Sequence, residues 1–168
     1  MEKKKMNKIL TIDPSGTGTS GLFLTDGITY EFTQFTNQDW KEHLLFIINF
    51  VKKNQPTLII YEHTNYIHKR TADALSLFKL FGAIEGLVYT FPFLTQILFL
   101  PVSQIKQFYT RLYNNKEKIS GLTYKVGRGN GWNYKGQHLS LHQVDAFLIY
   151  YIYENGTNNT TKSKNTRK

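Results

Sequence analysis

Residues 8–35 read KILTIDPSGTGTSGLFLTDGITYEFTQF, and the fold follows from how this stretch is divided. Lys8–Asp13 is a short apolar strand that ends in an acid. A Gly- and Thr-rich segment follows, then a second strand at Gly21–Leu24. Asp26-Gly27 is a strong two-residue hairpin signal, because both residues tolerate the positive φ that such turns need. It leads into ITYEFTQF, where Ile28, Tyr30 and Phe32 alternate with polar residues at the period of a strand. Three antiparallel strands therefore open the domain.

Beyond them, Asn37 is placed to cap a helix beginning near Gln38, with Asp39 favouring its first turn. Trp40, Leu44, Leu45, Ile47, Ile48 and Val51 supply its apolar face, and Pro56 ends it. Thr57–Glu62 (TLIIYE) is a buried strand that again closes on an acid. A long helix is expected from Thr71 to about Tyr89, with Gly82 and Gly86 suggesting close packing against a neighbour. Gln96–Leu100 is a further strand, and Ser103 caps a short helix ending near Leu112. Residues 113–138 are basic, glycine-rich and aromatic with weak periodicity; a last helix spans Leu141–Tyr153. The order is β-β-β-α-β-α-β-α-α. Crossover helices make the fourth and fifth strands parallel to the first. An α/β domain over residues 1–154 is expected, with a mixed five-stranded sheet flanked by helices. Residues 155–168 read as a polar, basic, disordered tail.

The totals narrow the chemistry. With 168 residues, a single domain can bury a real core. There is no cysteine, which excludes disulfides, thiolate nucleophiles and Cys-based zinc sites. No run of about 18 apolar residues is present to cross a membrane, and the positive start MEKKKMNKIL lacks the apolar core of a signal peptide. A soluble, cytoplasmic protein is expected. Its 21 Lys and Arg against 12 Asp and Glu give a net charge of +9, which suits a polyanionic partner.

The candidate site is built from acids. Asp13 and Glu62 end two strands expected to be parallel neighbours, so both carboxylates emerge at one edge of the sheet, where α/β folds bind ligands. In the last helix, LSLHQVDAFLIYYIY, Leu141, Val144, Leu148 and Ile152 form a stripe. Asp145 and Ile149 flank it, and His142 lies one turn from Asp145. A carboxylate buried there needs a partner or a metal. Asp13, Glu62, His142 and Asp145, mostly oxygen donors, suit Mg²⁺ or Mn²⁺ better than zinc. Two such ions clamp the attacking and leaving oxygens of a phosphodiester. Each residue also has an ordinary reading: Asp13 as a turn former, Asp145 as the partner of a lysine, His142 as a helix-start residue. Their combination is what points to chemistry. Arg111, Lys116, Lys118, Lys125, Arg128 and Lys135 precede the last helix and can neutralise phosphates. Tyr124, Trp132 and Tyr134 either stack on unpaired bases or fold their loop onto the core.

These segments resemble the RuvC-type Holliday junction resolvases of the RNase H-like nuclease superfamily. ILTIDPSGTGTSGLFL is similar to the family's Ile-Asp-Pro-Gly opening, with Ser15-Gly16 in place of Gly-Ser. LIIYEHTNY resembles its glutamate strand, DALSLFKLFGAIEGLV the helix after it, LFLPVSQIKQFYT the next strand and Pro…Lys segment, and LHQVDAFLIYYIY the His-X-X-Asp ending. The resemblance runs from about Lys8 to Tyr153 in order. It implies an RNase H-like fold and a homodimeric Mg²⁺-dependent endonuclease that nicks four-way DNA junctions. It puts Asp13, Glu62, His142 and Asp145 on the catalytic, metal-binding positions, Lys106 and Lys118 near DNA, and Tyr66 at the place of an aromatic that probes the junction. Lys69 and Arg70 beside Tyr66 are implied DNA contacts. Residues 66–69 have a dimer interface as their other reading. GRGNGWNYKGQH is longer and more aromatic than the family's pattern, which leaves other branched DNAs open as substrates.

Three other readings compete. TIDPSGTGTSG also resembles the phosphate hairpin of actin-like and Hsp70-like phosphotransferases, but the chain supplies one lobe and lacks the second glycine-rich motif. An RNA-processing nuclease of the YqgF type shares the superfamily. A basic module that binds branched nucleic acid without cleaving it is the non-enzymatic reading.

Overall fold

The computed structural model describes residues 7–64, 72–114, 116–125 and 131–156, and the helical backbone of 157–164. β1 (Ile9–Asp13), β2 (Thr19–Thr25) and β3 (Tyr30–Thr36) form the expected antiparallel meander. After α1 (Trp40–Asn54), β4 (Leu58–His63) pairs parallel to β1. α2 (Ala72–Glu85) and the short α3 (Leu87–Thr90) lead to β5 (Gln96–Pro101), which is parallel to β4. The five strands lie in the order β3-β2-β1-β4-β5. α4 (Val102–Tyr113) then precedes β6 (Leu122–Lys125), β7 (Gly131–Tyr134) and β8 (Gln137–Leu139), a separate three-stranded antiparallel sheet, and α5 (Leu141–Lys164) closes the chain.

Strand alternation decides which side chains meet which helices. Leu10 and Ile12 of β1, and Ile59 and Tyr61 of β4, face α1 and α2 in one core with Ile47, Val51, Leu80 and Ile84. The intervening residues face the other way. Ile60 packs with Ile105 of α4 and Ile149 of α5. Thr11 is buried and donates its hydroxyl to the Ala146 carbonyl at 2.6 Å, tying β1 to α5. Asp13 and Glu62 continue this second parity. They therefore leave the strand ends on the side that α5 and α4 cover.

Several local expectations are corrected. Asp39, not Asn37, caps α1: its Oδ1 accepts from Lys41 N at 2.9 Å, while Asn37 Oδ1 accepts from Asp39 N. Leu45, assigned to the apolar face of α1, is exposed. Ser103 is inside α4, whose first turn begins after Pro101 with no side-chain cap. The helix expected to reach Tyr89 is broken at Gly86 into α2 and α3. Gly82 and Gly86 meet no neighbouring element: a Cβ at Gly82 would point into open space, and one at Gly86 would meet only the preceding turn of the same helix. They line a groove with Tyr61, Glu85, Tyr89 and Phe99 instead. Leu141 is exposed, and the buried part of α5 is Val144 with Ala146–Ile149. α5 also runs past Tyr153 to Lys164, because extending a formed helix through weak formers costs far less than starting one.

Residues 113–138 hold the largest difference. Their composition points to a basic, glycine-rich, aromatic stretch of weak periodicity, but β6, β7 and β8 form a second antiparallel meander there. Lys135 and Gly136, with φ of 48° and 88°, make its two-residue turn.

Candidate metal centre

The centre is assembled where α5 crosses the carboxyl end of β1. Asp13 pairs with Gly21 across the β1–β2 ladder. A Cβ at Gly21 would collide with the backbone carbonyl of His142, so the missing side chain lets the first turn of α5 lie on the sheet. That contact sets His142 over Asp13. His142 Nδ1 donates to Asp13 Oδ2 at 2.8 Å, which leaves the lone pair of the neutral ring on Nε2. One turn on, Asp145 faces the same spot. Donor atoms of Asp13, His142 and Asp145 all lie within 4.8 Å of one another, close enough to hold one metal ion.

The electrostatics of the cluster fit a cation. Burial raises the Asp13 pKa, while the hydrogen bond and charge of His142 pull the other way. Burial raises Asp145 to about 6, with the Asp13 charge adding to it. Glu62 is raised to about 8, first by burial and then by Asp13 and Asp145; Lys106 and His142 oppose this. His142 is raised chiefly by its hydrogen bond to Asp13, against the effect of burial. Three carboxylates crowded together in a low-dielectric cleft resist joint ionisation, and a divalent cation relieves that repulsion.

Glu62 stands apart from the compact trio. It lies in the same cleft as Asp145, lined also by Val102, Ile105, Lys106, Tyr109, Tyr113 and Leu141, but its carboxylate is outside the 4.8 Å cluster. Asp13 and Asp145 repel it and Lys106 attracts it. Tyr109 was not anticipated. Its hydroxyl is buried beside Asp145 without a hydrogen bond of normal geometry, and burial followed by the Asp145 charge raises its pKa. A second unanticipated group supports the loop after Asp13. Ser20 Oγ accepts from Ser15 N at 2.9 Å and donates to His43 Nδ1 at 2.9 Å, and His43 Nε2 donates to the Asn37 carbonyl at 2.9 Å.

The basic residues are distributed unevenly. Lys106 is exposed on α4 and lines the acidic cleft. Lys116, Lys118 and Lys125 are exposed. Arg111 spends part of its charge on Glu117 at 3.7 Å and lies over the Phe108 ring. Lys135 caps the meander turn with its ammonium 5.3 Å and 5.2 Å from the Tyr30 and Tyr134 ring centres. Trp132 fits the second of its two readings: at 7% exposure it is a core residue, packed against Tyr109, Tyr113 and Tyr124. Tyr134 likewise packs on Tyr30, Phe32 and Phe147. Tyr66, Lys69, Arg70 and Arg128 lie outside the described residues, as do Ile67 and His68.

No protein-family model matches the chain, and no curated protein matches it. Solved structures do. RuvC of Thermus thermophilus, in complex with Holliday junction substrate, aligns with a TM-score of 0.54 at 15% identity, over 90% of this chain and 97% of that one. A second Thermus thermophilus RuvC structure gives the same score and identity over 89% and 97%. Among the described residues, no helix is long and apolar enough to cross a membrane. With its β3-β2-β1-β4-β5 sheet and α5 laid across the acid-bearing strand ends, the chain has the RNase H-like fold of RuvC.

Proposed function

We propose that this protein is a divalent-metal-dependent endonuclease that nicks branched DNA, four-way junctions included, and works as a homodimer. The observation that carries the reading is the convergence of Asp13, His142 and Asp145 on one spot, with Glu62 in the same cleft, at the strand ends of a RuvC-like fold.

The donor set fits Mg²⁺ or Mn²⁺, with Asp13, Asp145 and His142 holding one ion and Glu62 helping to hold a second. When bound, such ions supply an acidified water and a counter-charge for the leaving 3′ oxygen. This chain's residues do the rest. The Asp13 carboxylate orients the imidazole through the 2.8 Å bond and leaves the lone pair of the neutral ring on Nε2. That nitrogen holds the ring's one free lone pair, so it is the atom that would serve the ion. Lys106, beside Glu62, offers its ammonium to a phosphate oxygen at the cleft edge. Lys116, Lys118 and Lys125 neutralise flanking phosphates.

The test is a nicking assay on a four-way junction, a Y-fork, plain duplex and an RNA–DNA hybrid, with Mg²⁺ or Mn²⁺, for wild type and Asp145→Asn. Nicking of the branched substrates that the substitution abolishes while binding persists is the expected result. Equal cutting of plain duplex, or preference for the RNA hybrid, overturns branch selectivity.

A further inference from the structure

A second groove runs alongside the acidic cleft, between the end of α4 and β6. Its volume is about 750 Å³, and Tyr113 lines both it and the cleft. Two large aromatic faces are presented there. Tyr113 is 56% exposed and Tyr124 is 45% exposed. Their rings meet edge to face, with centroids 5.9 Å apart and planes at 81°, forming a corner. The corner is rigid because buried Trp132 backs both rings, at 5.8 Å and 5.0 Å, and Tyr109 stacks on Tyr113 at 6.0 Å. Isolated exposed apolar residues need no explanation. Two adjacent rings fixed by a buried tryptophan make a preformed aromatic corner with a flat face on each side.

The charge around the corner identifies its occupant. Lys118 lines the groove; Lys116 and Lys125, both exposed, are chain neighbours of the lining residues Glu117 and Tyr124. Glu117 is the one acid among the described lining residues, and Arg111 pairs with it at 3.7 Å. What remains uncompensated is positive. Flat aromatic surface beside exposed lysines suits a base and its phosphate, whereas a base inside a duplex has both faces covered by its neighbours.

We propose that Tyr113 and Tyr124 form a stacking subsite for an unpaired nucleobase of a single-stranded segment leaving the branch, with Lys118 on its phosphate. The proposal rests on the branched-DNA reading and adds how unpaired strand is recognised. It also assigns the β6–β8 sheet a role: holding Trp132, and through it the aromatic corner, next to the metal centre.

The experiment uses the full chain and a Y-fork carrying 2-aminopurine at unpaired positions beside the branch, with Ca²⁺ in place of Mg²⁺ during binding. Wild type is expected to quench the probe. Tyr124→Leu, which keeps an apolar contact with Trp132 but loses the flat face, should reduce quenching and weaken fork binding roughly tenfold. Tyr124→Trp should restore both, and binding to plain duplex should change less than about twofold. Should Tyr124→Leu fail to fold, as judged by its melting curve, Tyr113→Leu and Tyr113→Phe give the same comparison. Unchanged fork affinity and quenching in a folded leucine variant overturn the subsite. Nicking by wild type on the same fork, run with Mg²⁺, separates the two claims. Nicking without stacking sinks the groove alone; stacking without nicking sinks the nuclease reading and leaves the groove standing.

Discussion

Two histidines sit close to the turn that follows Asp13, and their surroundings differ in kind. His43 is fully buried, and both ring nitrogens are bonded, to Ser20 Oγ and the Asn37 carbonyl. Because a carbonyl only accepts, Nε2 must carry the proton and Nδ1 must accept from Ser20. Every polar atom of that group has its partner, and nothing is left to bind. His142 is 41% exposed and shares its space with three carboxylates whose pKa values are all raised. The first site is closed and holds the loop. The second carries more negative charge than its own residues neutralise. Satisfied buried polar groups are scaffolding, and crowded like charges mark a place where a cation belongs.

The comparison breaks most visibly at Asp145. Asp145→Asn keeps the shape but removes a charge that only a cation needs, so metal-dependent nicking should fall on the order of 10³-fold or more, about 4 kcal/mol. Fork binding measured in Ca²⁺ should stay within a few-fold. Gly21→Ala attacks the same centre through the backbone. Its new methyl meets the His142 carbonyl, so α5 must shift. A loss of about 3 kcal/mol in denaturant unfolding is expected, with nicking impaired as well. If Gly21→Ala unfolds like wild type, α5 does not depend on that close approach.

At the closed site the expectation reverses. Ser20→Ala leaves His43 Nδ1 without its donor in a dry interior, at a cost of about 1–3 kcal/mol in stability. The extra stabilisation that Mn²⁺ gives should be unchanged in the variant. A variant that keeps its stability but loses the metal effect would show that the two histidine sites are not separate.

The parts of this molecule that were legible are those with a strong local period. The apolar runs ILTID and LIIYE, each closing on an acid, marked both strands and set Asp13 and Glu62 at one edge of the sheet. Asp26-Gly27 marked the first hairpin, but its loop runs from Asp26 to Thr29 with only Gly27 at positive φ, so Ile28, read as the start of the third strand, lies exposed in the loop. The meander at 122–139 escaped because its strands are three or four residues long and mix Lys, Tyr and Asn. Its one local signal was Lys135-Gly136 between short aromatic runs. Trp132 looked like a base-stacker for the same reason, since only distant contacts with Tyr109 and Tyr113 bury it. Ser20 and His43 are 23 positions apart, and no pattern links them. Gly21 reads as a weak strand residue until the helix above it is known. Gly82 and Gly86 show the opposite error, small residues at helical spacing whose added Cβ would meet open space at Gly82 and only the turn before it at Gly86.

pH sharpens the contrast further. In metal-free protein, Glu62 titrates near 8 and Asp145 near 6, both above their ordinary values. The folded state then holds protons that the unfolded chain releases from about pH 4 upward. Stability from these groups is therefore present at low pH and lost as pH rises through the raised values. His142, raised by Asp13, acts in the same direction. The melting temperature of metal-free protein should fall between about pH 4 and pH 8. Glu62→Gln should flatten the upper part of that fall and Asp145→Asn the lower part. Mn²⁺ should stabilise most at the alkaline end, where its ligands are already deprotonated. A flat metal-free profile would mean the acids are not coupled as the geometry implies.

The smallest effect expected is at Tyr109, and its sign matters more than its size. A buried hydroxyl that meets Asp145 without a hydrogen bond of normal geometry returns little of its desolvation cost, so Tyr109→Phe should leave the metal-free protein as stable as wild type, or more stable by about 1 kcal/mol. The phenol nevertheless lies beside Asp145, close enough for that charge to raise its pKa. If its purpose is to hold the carboxylate once a cation draws Asp145 into place, the same substitution should weaken Mn²⁺ binding several-fold. Calorimetric titration of the metal and thermal melting of the metal-free protein, run on one pair of samples, then move in opposite directions. A merely structural tyrosine would shift melting alone, and a ring that only fills space would shift neither.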